Sequence, residues 1–249
     1  MAGLLGEERR ALLLAILHRD DVIRLESAAE ELGVSAMTVR RDLADLAAEG
    51  AVRRVRGGAV AAITPRPFEE RRATRGAQKA VLARKAAELV PRSGAVAMDA
   101  SSTTGVLLAH LAEADDLLVV SNSVENAATA RQIAGVRSIL VGGEREDRTG
   151  SYVGPFATRA VAAATYARFF TSAAAIDLRG SSEVTAEEAA MKSAFAAAAD
   201  ETVLLIDSSK LGDRALASAL DWSQIDLLVT DLAADDTRLD PYRPLVQIV

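Results

Sequence analysis

The chain has 249 residues and a formal net charge of −6; half of its residues are hydrophobic and only 4% aromatic, which is material for a small and a medium domain with aliphatic cores. It has no cysteine and only two histidines, His18 and His110, far apart in sequence, so disulfides, thiolate chemistry and a Cys-ligated metal are excluded, and neither a zinc site nor a cofactor is expected. No apolar run approaches the ~18 residues of a membrane span, and the first residues lack a basic-then-apolar signal pattern, so the expectation is a soluble, cytoplasmic protein with no membrane partner.

The charge is unevenly placed. Residues 1–80 carry 14 basic and 12 acidic side chains, a balance of +2, whereas residues 81–249 carry 15 and 23, a balance of −8. Arg40, Arg41, Arg53, Arg54 and Arg56 cluster within the first part, which is how a nucleic-acid-binding segment is marked inside an acidic protein.

In chain order, residues 7–17 predict a helix with Leu13, Ile16 and Leu17 on one face, closed by His18, Arg19, Asp20 and Asp21. A second helix starts near Glu26, buries Ala28, Ala29 and Leu32, and stops at Gly33. Ser35 is placed to cap a third helix, whose stripe is Val39, Leu43 and Leu46 and whose end is Gly50. Two helices around a tight Gly-Val-Ser turn have the layout of a helix-turn-helix. The outward face of the third helix would carry Ser35, Ala36, Met37, Thr38, Arg40 and Arg41, small or hydroxylated where base edges come close and basic where guanine or phosphate is met. Residues 52–56 alternate as a strand, and Gly57-Gly58 turns it into a second strand over 59–63, forming a wing in which Arg53, Arg54 and Arg56 would contact phosphates. A helix-Gly-helix is common in Ala-rich chains and arginine pairs are common on solvated surfaces. It is the capped helix, the wing and the arginine cluster together that point to DNA.

The run VSAMTVRRDLADLAAEGAVRRVRGGAV, residues 34–60, resembles the N-terminal signature of the DeoR family of bacterial repressors, most specifically in VRRDL followed by RVRGGA. The family usually has His where Arg56 stands, a change that keeps the wing tip basic.

Pro65, Pro67 and the charged run 69–75 predict a boundary, with Arg71, Arg72 and Arg75 on a solvated linker face. The domains are therefore expected as 1–62, a winged helix-turn-helix DNA-binding domain of α+β type; 63–77, a linker; and 78–249, an α/β effector-sensing domain. A helix over 78–89 opens the last of these. Strands are expected at 95–98, 117–120, 138–141, 169–173, 202–206 and 227–230, mostly with helices between them, a rhythm that implies a mainly parallel sheet covered by helices.

Ligands of such sheets bind at the carboxyl ends of strands. There the sequence places Asp99 followed by Ala100, Ser101, Ser102, Thr103 and Thr104; then Ser121-Asn122-Ser123; then Gly142-Gly143; then Asp207-Ser208-Ser209-Lys210. Lys192 comes from the helix of Glu187 and Glu188. Ser-rich loop ends are often plain helix caps and a lone Lys is usually solvated, so the signal is their convergence on one sheet edge.

The segments DASSTT, SNS, VGG, SYVGP, EEAAMK and DSSKLG are similar to the ordered landmarks of the DeoR effector domain. The resemblance implies a fold like that of sugar-phosphate isomerases and CoA-transferases, and a phosphorylated sugar as effector. By position it implies that Ser101, Ser102, Thr103 and Thr104 hold the phosphate, that Asp99 and Asn122 face the sugar, and that Lys192 and Lys210 balance charge. The chain departs from the family pattern at Ser101, where Gly is usual, and at Ala173, Ala174 and Ala175, in a segment usually rich in glycine.

The expectation is a non-enzymatic transcriptional repressor of carbohydrate metabolism genes, with operator DNA and a phosphorylated sugar as partners, acting as a homodimer or homotetramer on repeated half-sites. Two alternatives stay open. One is a sugar-phosphate isomerase using Glu187, Glu188, Asp99 or Asp207 as base; the other is a DNA-binding regulator whose α/β domain only oligomerises.

Overall fold

The computed structural model describes residues 5–20 and 22–249, without the side chains of His18 and Ala61. Asp21 and the first four residues of the expected 1–62 domain lie outside the described residues. The chain divides into two compact units, residues 1–64 and 65–249.

Unit one runs α1 (Gly6–Asp20), β1 (Val22–Arg24), α2 (Leu25–Leu32), α3 (Ala36–Ala48), β2 (Val52–Val55) and β3 (Gly58–Ala61). The helical spacing of Leu13, Ile16 and Leu17 and of Val39, Leu43 and Leu46 gathers these six side chains into one core with Ile23, Ala28, Ala29, Val52 and Ala59. Leu32, expected inside, is only half-buried at the margin of that core. Gly33 ends α2 in the left-handed region at φ 63°, and the Ser35 hydroxyl accepts the amide of Thr38 at 3.1 Å, as the turn requires.

β1 is a strand the sequence did not announce, because three residues are too few for an alternation signal. It pairs antiparallel with β3, Ile23 opposite Ala59, and completes a sheet of order β1-β3-β2. This pairing explains the second glycine of the wing. A Cβ at Gly58 would lie 1.8 Å from the carbonyl oxygen of Ile23, so β3 crosses β1 at a distance only glycine permits.

Unit two runs α4 (Phe68–Ala73), α5 (Gly76–Ala87), β4 (Ser93–Met98), α6 (Ser102–Leu108), β5 (Asp116–Ser121), α7 (Val124–Ala130) and β6 (Val136–Leu140). It continues through β7 (Glu144–Arg145), β8 (Tyr152–Val153), α8 (Pro155–Ala162), β9 (Tyr166–Thr171), β10 (Ala175–Asp177) and β11 (Gly180–Glu183). Last come α9 (Ala186–Ala197), β12 (Ala199–Ile206), β13 (Ala217–Ser218), β14 (Leu227–Thr230) and β15 (Gln247–Ile248). Seven strands form one sheet in the order β15-β14-β12-β9-β4-β5-β6, and every neighbouring pair is parallel.

The period-two alternation of a strand supplies both faces with core. Val96, Met98 and Phe170 pack on one side with Leu82, Ala86 and Leu107, while Ala97 and Phe169 pack on the other with Tyr166, Val161 and Phe195.

Three expectations need correction. The strand expected over 169–173 ends at Thr171, and the chain then enters a small antiparallel sheet of order β10-β11-β13. Its sequence, AIDLRGSSE over 175–183, is too polar to have read as strand. The strand expected over 138–141 lies earlier, at Val136–Leu140, on the sheet edge, where Ile139 and Leu140 are exposed.

The third correction concerns the stretch read as a linker, 63–77, most of which is folded onto unit two. Pro67 is the N-cap of α4, Phe68 is buried, and the Arg71 guanidinium stands over the Phe68 ring at 5.5 Å. Arg71 also donates to the carbonyls of Arg66 (3.0 Å), Ala100 (3.0 Å) and Thr149 (3.1 Å). A planar guanidinium with five fixed donors can satisfy several carbonyls at once, so an arginine that looked solvated instead ties this strap, residues 65–75, to the sheet. Arg72 is exposed as expected, and Arg75 is half-buried.

Candidate functional site

Unit one presents a basic, mostly uncovered surface. On α3, Met37 is 69% exposed and Arg40 and Arg41 are exposed. Ala36 and Thr38, expected on the same face, are half-buried, because position 36 lies one turn from Val39 on the core side of the helix and packs against that core. Ser35 is exposed, but its hydroxyl is engaged in the cap and lies 2.9 Å from that of Thr38. On the wing Arg53, Arg54 and Arg56 are exposed. Between α3 and the wing runs a groove lined by Leu25, Arg40, Leu43, Arg54, Val55, Gly57 and Gly58, so an arginine of the helix and an arginine of the wing border one depression.

Sequence reasoning missed the residue behind that surface. Asp42 is 3% exposed and receives both Nε (2.5 Å) and Nη2 (2.9 Å) of Arg9. A carboxylate three residues after Val39 and four before Leu46 sits in the buried stripe of α3, and that placement was the available signal for a partner.

In unit two the polar loops after β4, β5, β9 and β12 meet as the parallel order dictates. Asp99, directly after β4, is 2% exposed. Its Oδ1 accepts the amide of Ser101 at 3.0 Å and its Oδ2 accepts the Thr171 hydroxyl at 2.5 Å. Oδ2 also accepts a hydrogen bond from the ammonium of Lys192, which donates to Thr171 Oγ1 at 3.1 Å and lies 3.3 Å from Glu183 Oε1.

Burial opposes ionisation of Asp99, yet the Lys192 charge overrides it and holds the carboxyl below its usual range. Lys192 is correspondingly held above its ordinary value: burial lowers it, and Asp99 and Glu183 more than compensate. Glu183 is pushed up by burial, which Lys192 only partly offsets.

Of the four hydroxyls expected to take a phosphate, those of Ser101 and Thr104 are engaged with each other. Ser101 Oγ accepts the amide of Thr104 at 3.2 Å and lies 3.0 Å from Thr104 Oγ1, which donates to the Asp99 carbonyl at 3.0 Å. Ser102 and Thr103 are buried at the start of α6. Asn122, directly after β5, donates through Nδ2 to the Tyr152 carbonyl at 2.9 Å, while its buried Oδ1 has no hydrogen-bond partner among the described residues. Asn126, which the sequence did not mark, donates to the carbonyls of Asp99 (2.7 Å) and Ser101 (3.2 Å), and its buried Oδ1, against Gly105 of α6, has no hydrogen-bond partner among the described residues.

Lys210 donates to Ser172 Oγ (3.1 Å) and the Ala173 carbonyl (2.6 Å), and burial pushes its ammonium down from the ordinary value. Ala173 packs in an apolar cluster with Ile206, Leu220 and Trp222, and Ala175 is fully buried. Of the expected set, Asp99, Ser101, Thr104 and Lys192 lie within one bonded network. Lys210 stands at the neighbouring strand ends and Asn122 hangs on Tyr152. The network also enlists Thr171 and Glu183, and beside it Glu188 accepts the hydroxyls of Thr149 (2.8 Å) and Ser151 (2.5 Å).

Among the described residues no helix is long and apolar enough to cross a membrane. Residues 9–64 match the family described as DeoR-like helix-turn-helix domain, and residues 74–232 match the DeoR C terminal sensor domain. The HTH-type transcriptional regulator YgbI of Escherichia coli K12 is 31% identical over 229 residues, covering 90% of this chain and 89% of that protein. A lactose phosphotransferase system repressor of Streptococcus mutans is 30% identical, covering 96% and 98%. The glycerol-3-phosphate regulon repressor of Escherichia coli K12 is 28% identical, covering 88% of each.

Proposed function

The chain belongs to the DeoR family of DNA-binding transcriptional regulators, and from that premise we propose that it represses carbohydrate-metabolism genes and that a phosphorylated sugar sets its grip on operator DNA. The single observation that supports the DNA half is the shared groove of α3 and the wing, with Arg40 on one side and Arg54 on the other. In this reading α3 enters the major groove, Met37, Arg40 and Arg41 meet base edges, and Ser35, Ala36 and Thr38 let the helix come close. Arg53, Arg54 and Arg56 hold phosphates. One unit of this size spans few base pairs, so the protein works as a homodimer or homotetramer on repeated half-sites.

The effector half is supported by the polar strand ends of unit two, where the buried Oδ1 of Asn122 has no donor among the described residues. A ligand hydroxyl supplies such a donor, and a buried acceptor left without one is costly. In this reading Asp99 and Asn122 face the sugar, Lys192 fixes Asp99, and Ser101, Ser102, Thr103, Thr104 and Lys210 surround the anionic end. The effector must bind one arrangement of the protein better than another, because equal affinity for both shifts nothing. Its relatives include repressors named for the lactose phosphotransferase system and for the glycerol-3-phosphate regulon, which fits this class of effector.

The test is to select duplexes from a random-sequence library with the full chain, then measure affinity for the winner by fluorescence anisotropy with and without a panel of phosphorylated sugars. Selection of one consensus with repeated half-sites, and a shift by a phosphorylated sugar, is the expected result. Turnover of any panel member, with no effect on DNA, would replace this reading with an isomerase.

A further inference from the structure

The chain has four methionines, and their surroundings differ sharply. Met98, at the end of β4, is 0% exposed, and Met191, in α9, is 1% exposed; each lies in an apolar core of unit two. Met1 lies outside the described residues. Met37, in the first turn of α3, is 69% exposed. It comes two residues before Val39 and so stands across the helix from Val39, Leu43 and Leu46, the stripe that holds α3 in its core.

The same position puts Met37 three and four residues before Arg40 and Arg41, the spacing at which side chains are neighbours on a helix surface. Both arginines are exposed, and Arg40 lines the groove whose other side carries Arg54. A thioether in this patch is apolar and polarisable, the kind of group that packs against a thymine methyl. It is also the oxidisable group of the side chain, and here solvent reaches it, whereas the sulfurs of Met98 and Met191 are sealed in apolar cores. Oxidation to the sulfoxide turns a flexible apolar side chain into a polar one. The new S–O oxygen is a hydrogen-bond acceptor next to two guanidinium groups, each with five N–H donors.

We propose that Met37 is a site of reversible oxidation by peroxide, and that its sulfoxide weakens operator binding. This rests on the reading of α3 as the base-contacting helix and adds to it a chemical input that does not pass through unit two. In the forward step a lone pair of the Met37 sulfur attacks one oxygen of hydrogen peroxide. An S–O bond forms, the O–O bond breaks, the sulfur is oxidised by two electrons, and the second oxygen leaves as water with both protons. The product loses the apolar contact and offers Arg40 and Arg41 an acceptor that competes with guanine and phosphate. In the return step a methionine sulfoxide reductase takes two electrons from a pair of thiols, which become a disulfide, and the sulfoxide oxygen leaves as water.

The experiment treats the full chain with graded hydrogen peroxide, follows each methionine by peptide mass spectrometry, and measures affinity for the selected operator by fluorescence anisotropy. Met37 is expected to oxidise before Met98 and Met191, and bound operator should slow its oxidation. Operator affinity should fall by about fivefold or more as Met37 sulfoxide accumulates, and return after treatment with both epimer-specific methionine sulfoxide reductases and dithiothreitol. Met37→Leu keeps the other three methionines; whatever its own affinity, peroxide should change it less than about twofold. Met37→Gln, which carries a permanent acceptor at this place, should bind the operator more weakly than Met37→Leu with no peroxide present. The proposal is overturned if Met37 oxidises no faster than the buried methionines, if bound operator does not protect it, if affinity survives complete conversion to the sulfoxide, or if Met37→Leu loses as much affinity as the wild type. A protein insensitive to Met37 oxidation in which Arg40→Ala still weakens binding loses this site and keeps the α3 reading. If Arg40→Ala and Arg41→Ala also bind as the wild type does, the α3 reading falls with it.

Discussion

Arg9 grips Asp42 through two parallel hydrogen bonds, Nε to Oδ2 at 2.5 Å and Nη2 to Oδ1 at 2.9 Å, joining α1 to the buried side of α3. The helix that carries Arg40 and Arg41 is therefore fixed in rotation as well as in depth. Asp42 is 4% and Arg9 15% exposed at the side chain, so removing one partner strands a charge in a poorly solvated place. Asp42→Ala should cost unit one about 2–4 kcal/mol, the lower part of that range reflecting the residual exposure of Arg9. Urea denaturation of Asp42→Ala, Arg9→Ala and the double variant checks this. The double variant is expected to lose less than the sum of the singles, and strict additivity would mean that the two side chains do not depend on one another.

Gly58→Ala places a methyl carbon 1.8 Å from the Ile23 carbonyl oxygen, which no rotation of a side chain can relieve. The expected outcome is separation of β3 from β1, a loss of at least about 2 kcal/mol and weakened DNA binding. Gly57→Ala, at φ 84° but with open space around its Cβ, carries the strain of a positive φ without that clash and should cost less. Thermal unfolding of both variants decides; equal losses would contradict the role given to the β1–β3 crossing.

Most of the fold was legible because it rests on periodic burial. Val39, Leu43 and Leu46 mark α3, and residues 227–230 appear in the sequence with the bounds they have in the fold. The strap was not legible. Its prolines and charges are those of a linker, and only the buried Phe68 and the three carbonyls around Arg71 reveal that it is folded. β1, β10 and β13 are too short or too polar to carry a pattern. In the candidate ligand site Asp99, Asn122 and Lys210 stood out as polar residues at strand ends. Elsewhere in unit two the burial of Lys79 on α5 was not legible, because a lysine on an ordinary-looking helix carries no sign that the carbonyls of Arg71 and Thr74 cover its ammonium.

Arg40→Ala and Arg41→Ala should each weaken binding to the selected operator by about 1–3 kcal/mol if the contact is bidentate to guanine, with relaxed base preference at one position. Arg54→Ala and Arg56→Ala should act evenly on all sequences and reduce the slope of log affinity against log salt by about 1 each. Anisotropy titrations at several salt concentrations separate the two classes. Unchanged affinity in both α3 variants would remove α3 as the reading element.

The unligated protein should become more stable as pH rises above about 7. Lys79 is pushed down to about 7 from 10.5, so between those values the unfolded chain binds a proton that the folded chain has released. Stability then increases with pH, by up to about 1.4 kcal/mol per unit from this group, and the full penalty applies below pH 7. Urea denaturation of wild type and Lys79→Met at pH 7, 8 and 9 tests the sign. The wild type should gain relative to the variant as pH rises, and parallel curves would show that Lys79 keeps an ordinary pKa in the fold.

The central claim is that one chain couples operator DNA to a phosphorylated sugar, and the most direct measurement is operator affinity in the presence of each phosphorylated sugar and its unphosphorylated counterpart. The account predicts that at least one phosphorylated sugar changes the affinity by fivefold or more, on the order of 1 kcal/mol of coupling, while the matching free sugar does not. A protein that binds its operator tightly with the same affinity throughout the panel would contradict the account and leave unit two as an oligomerisation platform.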